Sequence, residues 1–150
     1  GMKMKLSIAA ALSHRPRLLI LDEATSGLDP VVRSEILDVF LDFIQDEEHS
    51  ILISSHITSD LEKTADYITF LHEGKVICSD EKDVLLSHYG LIQCSRTALD
   101  AIDRRAVIGV RMHAFGAQVM VDRTRYTGRY AVEPVNLETM MLFYTRGQEV

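Results

Sequence analysis

The sequence predicts an α/β fold, and three observations carry this prediction. Residues 17–21 and 50–54 are short apolar runs, which is typical of strands buried on both faces of a parallel sheet. Between them, the segment from Asp29 to about Ile44 repeats apolar residues every three or four positions, as one face of a helix does. A strand, helix, strand order predicts two parallel strands joined by a right-handed crossover.

The other elements follow from periodicity and from turn residues. Asp29-Pro30 predicts a helix start, with Asp29 as the N-cap and Pro30 in the first turn. Further helices are expected at 4–14, 57–65, 81–88, 98–104 and 136–144. Strands are expected at 67–71, 75–78, 91–94, 107–112 and 118–121, the first two joined by a hairpin turn at Glu73-Gly74. The elements after Asp80 suggest a small α+β appendage.

Composition places the 150-residue chain in the ordinary globular range, with 47% hydrophobic and 25% charged residues. No apolar run has the length needed to cross a bilayer, and no secretory signal opens the sequence. The two cysteines, Cys78 and Cys94, are too few for a disulfide framework and lack zinc-ligand spacing. We therefore expect a cytosolic protein with reduced thiols and no direct membrane insertion.

The net charge of −6 is unevenly distributed along the chain. Residues 1–89 hold 8 basic and 16 acidic residues, whereas residues 90–150 hold 8 basic and 6 acidic ones. This shift predicts a domain boundary near Tyr89-Gly90. Nucleic-acid binding is not expected, because the arginines of the second part are interleaved with acids and apolar residues instead of forming a cluster.

Two acids, Asp22 and Glu23, directly follow the first apolar run. Ligands of open parallel sheets bind at the carboxyl ends of the strands, which is where these acids fall. One carboxylate there can hold Mg²⁺ on a phosphate, and the next can reach a water aligned on the terminal phosphorus. The same pattern also fits acids that only cap the following helix, so on its own it leaves both interpretations open.

Three segments together resemble ABC ATPases. Asp22-Glu23-Ala24-Thr25-Ser26-Gly27-Leu28-Asp29-Pro30 is similar to the Walker B and D-loop segment, with Ala24 where proline is common. Ser54-Ser55-His56 resembles the switch-histidine segment, and Gly1-Met2-Lys3 resembles the end of the signature motif. The three occur in family order, and the resemblance covers residues 1 to about 79. It implies a partial P-loop NTPase (RecA-like) parallel sheet with helices in residues 1–89, plus a small α+β C-terminal extension in residues 90–150.

The resemblance also implies residue roles, with ATP and Mg²⁺ as cofactors. Asp22 matches the aspartate that holds Mg²⁺ through water, Glu23 the general base, and His56 the residue that contacts the γ-phosphate. The remaining matches are nucleotide-binding or interface positions, namely Gly1 in the signature motif and Ser26, Gly27, Leu28 and Asp29 in the D-loop. In the family, the D-loop crosses the interface between two ATPase subunits.

The chain lacks a G-x-x-x-x-G-K-[ST] phosphate-binding loop. We therefore predict that residues 1–150 alone bind ATP weakly or not at all and do not hydrolyse it. In the family fold, the strand leading into that loop lies between the Walker B strand and the switch-histidine strand. Without it, we expect the two exposed strand edges to be paired in another way, by each other or by a neighbouring chain.

The resulting hypothesis is the C-terminal half of an ATP-binding subunit of an ABC membrane transporter. Its partners would be a membrane-spanning permease and a second ATP-binding subunit, at the inner face of the cell membrane. Gly1-Met2-Lys3 and the closing segment 137–144 resemble export-type subunits. Two alternatives stay open: a soluble ABC ATPase acting on nucleic acid or ribosomes, and a non-catalytic truncated module used for binding or dimerisation. Residues 90–150 are either a packing extension or a regulatory or dimerisation appendage.

Overall fold

The computed structural model describes residues 2–146, which fold into two compact units that meet between Thr64 and Ala65 in the sequence, residues 2–64 and 65–146. The division between the units lies between Thr64 and Ala65, earlier than the domain boundary predicted near residue 89. The physical reason is local: the strands after Thr64 pair with each other as a hairpin and not with the strands of the first unit. The charge shift near residue 89 therefore does not coincide with a change of compact unit.

The first unit contains two strands and three helices in alternating order. These are α1 (Met2–Leu12), β1 (Leu18–Asp22), α2 (Pro30–Phe43), β2 (Ser50–Ser54) and α3 (Thr58–Thr64). β1 and β2 pair in parallel, with Leu18 opposite Ser50 and Asp22 opposite Ser54. The expected parallel pair is confirmed, and the two strands pair directly with each other, which was one of the two ways predicted for closing their edges. Because the first and last residues of the two strands are paired without a shift, both strands end at the same level.

The start of α2 shows why this helix begins where the sequence predicts. One oxygen of the Asp29 carboxylate, Oδ1, accepts hydrogen bonds from the backbone N–H groups of Val31 and Val32, each at 3.1 Å. Pro30 occupies the first helical turn, where a missing N–H costs nothing. The predicted cap is confirmed, and it fixes the residue at which α2 begins.

The core of the first unit lies on one face of the β1–β2 pair. Five buried residues from α1, the β1–α2 loop and α2 form its centre: Ile8, Ala24, Ile36, Leu37 and Phe40. On the opposite face, Leu18, Ile20 and Leu52 are each more than half exposed. Parallel strands normally carry covering layers on both faces. This pair has a packed face and an uncovered apolar face, and Asp22 and Ser54 share the uncovered side because residues alternate along a strand.

The second unit is a small α+β arrangement. It begins with the antiparallel hairpin β3 (Tyr67–His72) and β4 (Lys75–Glu81), followed by α4 (Lys82–His88). Four further strands form an antiparallel sheet in the order β6-β7-β5-β8. Their bounds, with those of the remaining helices, are β5 (Tyr89–Cys94), α5 (Arg96–Leu99), β6 (Val107–His113), β7 (Gly116–Asp122), β8 (Glu133–Pro134) and α6 (Leu137–Arg146).

The core of the second unit is built on the central strands of this sheet. Ile92 of β5 and Val119 and Val121 of β7 are fully buried and pack with Ile102 and Val110. Met120 and Met140 are fully buried as well, and their flexible side chains fill the core. Taken with the first unit, residues 2–146 form a mixed α/β structure with small sheets, in which β1 and β2 are the parallel pair.

One prediction for the second unit was wrong in detail, and one strand was missed. The helix expected at 98–104 is instead the short α5 and a separate 3₁₀ turn, Arg104–Ala106. The cause is local capping: the Asp103 carboxylate accepts a hydrogen bond from the N–H of Arg105 at 3.0 Å and starts a new turn. The short strand β8 was not predicted. In the described range 2–146, no helix combines the length and apolarity that a bilayer crossing needs.

Candidate active site

The even ends of β1 and β2 bring Asp22 and Ser54 side by side. The Ser54 hydroxyl donates a hydrogen bond to Oδ1 of Asp22, and the backbone N–H of Glu23 donates to the Ser54 carbonyl at 3.0 Å. These contacts join the strand that carries the acids to the strand that leads into His56. They hold the Asp22 carboxylate at the carboxyl end of the parallel pair, where it is solvent-exposed.

Glu23 has a left-handed backbone conformation, with φ of 49°. A side-chain-bearing residue rarely adopts this region, and it costs about 1–3 kcal/mol unless the surroundings enforce it. Here two hydrogen bonds enforce it, since the N–H of Glu23 is bound by Ser54 and its carbonyl accepts from the N–H of Ser26 at 3.0 Å. The chain therefore turns sharply directly after β1, and Glu23 is the residue at the turn.

The Glu23 carboxylate contacts His56 with both of its oxygens. Oε2 lies 2.7 Å from the imidazole Nδ1, and Oε1 accepts the backbone N–H of His56 at 3.1 Å. Because Nδ1 faces the carboxylate, it acts as the donor, and contact with a ligand falls to the other ring nitrogen, Nε2. The residues predicted as general base and γ-phosphate contact are therefore adjacent, and both are accessible to solvent.

The oxygen donors at this edge suit Mg²⁺. Within residues 2–146 no three His, Cys, Asp or Glu side chains converge as a closed metal-binding set. Mg²⁺ does not require such a set, because it commonly binds one or two carboxylates together with substrate phosphates and water. The exposed Asp22 carboxylate at the end of β1 fits this mode. Asp22 is the residue that would hold the ion.

The residues predicted to form the D-loop lie in the turn between β1 and α2. Gly27 has a left-handed φ of 69°, which favours glycine. A Cβ atom at this position would meet no neighbouring atom, so the requirement is one of backbone conformation and not of space. Leu28 packs against the core of the first unit, and the Asp29 carboxylate is engaged as the α2 cap. Ser26 is partly exposed beside them. Gly1 lies outside the described residues.

Sequence reasoning missed three features of this site. Ser54 supports both Asp22 and Glu23, which the equal ends of the two apolar runs could have indicated. Thr25 is buried, and its hydroxyl has no hydrogen-bond partner within the described part of the chain. The third is an ion pair between Arg33 of α2 and Asp60 of α3. No local pattern indicates that pair, because the two residues are far apart in sequence.

Comparison of the sequence with known proteins finds relatives in one class, the ATP-binding proteins of transporters. No family model matches the chain. The lantibiotic transport ATP-binding protein SrtF of Streptococcus pyogenes is 48% identical over 83 residues, covering 55% of this chain and 36% of that protein. The ABC transporter ATP-binding protein YtrB of Bacillus subtilis is 36% identical over 93 residues, covering 62% of this chain and 32% of that protein.

A third relative extends the similarity further along the chain. The energy-coupling factor transporter ATP-binding protein EcfA2 of Ligilactobacillus salivarius is 31% identical over 115 residues, covering 71% of this chain and 40% of that protein. An alignment of 115 residues is longer than residues 1–89, so the similarity to EcfA2 includes part of residues 90–150. Over about half of its length or more, the chain is therefore homologous to the ATP-binding proteins of ABC transporters. It spans about a third of the length of these relatives.

Proposed function

We propose that the first unit carries the metal-binding carboxylate, general base and switch histidine of an ABC-type ATPase. The observation that carries this proposal is the contact between Glu23 and His56 beside Asp22, at the even ends of a parallel strand pair. An acid pair at a strand end is a weak signal by itself. A histidine from the loop after the neighbouring strand, bound to the second acid, can contact a terminal phosphate, and helix capping does not explain its contact with Glu23.

Each residue of the site has a distinct task in the proposed mechanism. Asp22 would hold Mg²⁺, which when bound would neutralise charge on the phosphates. Glu23 orients and polarises the attacking water, a contribution typically worth about 10²- to 10⁴-fold in rate. His56 uses Nε2 to contact the terminal phosphate while Glu23 holds Nδ1. The ring is therefore oriented before nucleotide arrives, which lowers the entropic cost of forming the contact.

The uncovered face of the β1–β2 pair supports a partial P-loop (RecA-like) sheet. Leu18, Ile20 and Leu52 are apolar and exposed on strands of a type that is normally covered on both faces. The proposed ATPase is completed by polypeptide that covers this face and supplies a phosphate-binding loop, which the chain lacks. The strand leading into that loop would lie between β1 and β2, so completion would replace their direct pairing. Completion also provides the backbone amides and lysine that hold the β- and γ-phosphates.

The relatives favour transport as the process that this ATPase serves. SrtF and EcfA2 are a lantibiotic transport and an energy-coupling factor transporter ATP-binding protein, respectively. The proposed partners are a membrane-spanning permease and a second ATP-binding subunit, contacted through Ser26 and Gly27 of the D-loop, at the inner face of the membrane. An export-type subunit is the proposed subclass, from the resemblance of residues 1–3 and 137–144.

A polypeptide of residues 1–150 should not hydrolyse ATP measurably, because nothing in it replaces the phosphate-binding loop. The measurement is phosphate release by the purified chain with Mg²⁺ and ATP, together with calorimetric titration of ATP. Turnover that depends on Mg²⁺ and disappears in the Glu23→Gln variant would show that the chain already contains a complete site. In that case the proposed need for completion is wrong.

Activity should appear when the first unit is placed in a complete domain. A suitable chimera carries residues 2–64 of this chain in place of the matching segment of SrtF. We expect this chimera to hydrolyse ATP with Mg²⁺. A chimera that folds and binds ATP but shows no turnover above a Glu23→Gln version would favour the non-catalytic module instead.

A further inference from the structure

A partly buried ion pair joins the first turns of α2 and α3 in the first unit. The Nε atom of Arg33 lies 2.7 Å from Oδ1 and 2.9 Å from Oδ2 of Asp60, and its Nη2 atom lies 2.5 Å from Oδ1. The same Nη2 donates to the Ser59 hydroxyl at 2.9 Å. The Arg33 guanidinium therefore binds two consecutive residues in the first turn of α3, Ser59 and Asp60.

The burial of this pair separates it from the other ion pairs of the unit. The side chain of Asp60 is 2% exposed and that of Arg33 is 28% exposed. In contrast, the partners of the Arg17–Glu48 pair are 76% and 67% exposed. Exposed pairs contribute little, whereas removing one partner of a buried pair leaves an uncompensated charge. The planar guanidinium also fixes the orientation of the Asp60 side chain, because two of its N–H groups bind the carboxylate only when the two groups are coplanar.

The position of the pair in the chain gives it a consequence for the site. Arg33 lies one turn after the Asp29 cap, and Asp60 lies four residues after His56. The helix α3 has only seven residues, too few to be stable without tertiary contacts. Its first turn is held by Arg33, and the chain leading into that turn carries His56.

We propose that Arg33 and Asp60 are positioning residues, which fix the start of α3 on α2 and thereby hold His56 against Glu23. The loop from Ser54 to Asp60 is then anchored at both ends, by Ser54 on Asp22 and by Asp60 on Arg33. The catalytic consequence of this anchoring rests on the proposed function. The geometric claim concerns only the Glu23–His56 contact and can be tested separately.

The test uses NMR on the 150-residue chain. The double variant Arg33→Met/Asp60→Leu removes both charges at similar volume, so the fold is expected to persist. We expect the His56 amide to exchange about tenfold faster, as suits the loss of one hydrogen bond, and the ¹⁵N shift of its Nδ1 to move toward that of exposed His14. The control Arg17→Met should change neither signal.

A second variant covers the case in which the double variant does not fold. Arg33→Lys keeps the charge and loses the fork, so it should produce a smaller change of the same kind at His56. The proposal is overturned if a folded variant of either type leaves the His56 amide exchange and the ring shifts as in the wild type. That outcome would not affect the proposed ATPase function, which the SrtF chimera tests on its own.

Discussion

Glu23→Gln in the SrtF chimera should reduce ATP turnover by about 10²- to 10⁴-fold, which is the usual contribution of a positioned general base. The amide keeps the size of the side chain and can still contact His56, but it cannot accept a proton from water. ATP binding should change little, because Glu23 is not placed to hold the phosphates. The measurement combines steady-state phosphate release with equilibrium ATP binding.

The matched control for this variant is Glu47→Gln, an exposed acid after α2 and distant in sequence from the strand ends. It removes the same charge and should leave turnover within about twofold of the unmodified chimera, as expected for a surface change away from the site. Equal losses in the two variants would mean that charge alone matters. Full turnover in Glu23→Gln would mean that another residue takes the proton.

Phe40→Ala should lower the free energy of unfolding of the first unit by about 3–5 kcal/mol, the usual cost of truncating a buried phenylalanine. Phe40 is 3% exposed and lies in the cluster that packs α2 on α1 and the strand pair. A loss of this size is comparable with the whole stability of many small domains. The measurement is urea unfolding followed through the amide signals of β1 and β2.

Val39→Ala on the same helix is the control for this prediction. Val39 is 41% exposed, and alanine is the better helix former, so we expect a change within about 0.5 kcal/mol. Similar losses for the two variants would contradict the assignment of the packed face of α2. Loss of the β5–β7 amide signals along with those of β1 and β2 would contradict the division into two compact units.

The features of the site that the sequence predicts are those that depend on local pattern. Apolar runs determine β1 and β2, and Asp29-Pro30 determines the start of α2, so the location of Asp22 at a strand end could be predicted. The proximity of His56 to Glu23 required the family resemblance, because spacing alone does not say which strands are neighbours. The roles of these residues, like those of the D-loop, stay predictions.

What could not be predicted depends on contacts between distant segments. The left-handed conformation of Glu23 is enforced by Ser54 of the neighbouring strand, and the Arg33–Asp60 pair depends on how α2 and α3 cross. The helix expected at 98–104 does not form because the Asp103 carboxylate caps a new turn instead. The spacing of apolar residues carries no information about such side-chain caps. The unit boundary at Thr64 follows from strand pairing, which a change in charge does not report.

The arrangement that we propose has Asp22, Glu23 and His56 together facing the terminal phosphate of a nucleotide. Its most direct test is a crystal structure of the SrtF chimera with Mg²⁺ and a non-hydrolysable ATP analogue. We expect Nε2 of His56 within hydrogen-bonding distance of the terminal phosphate, Asp22 facing the metal through water, and Glu23 beside the line of attack. A bound analogue whose terminal phosphate lies away from these side chains would contradict it.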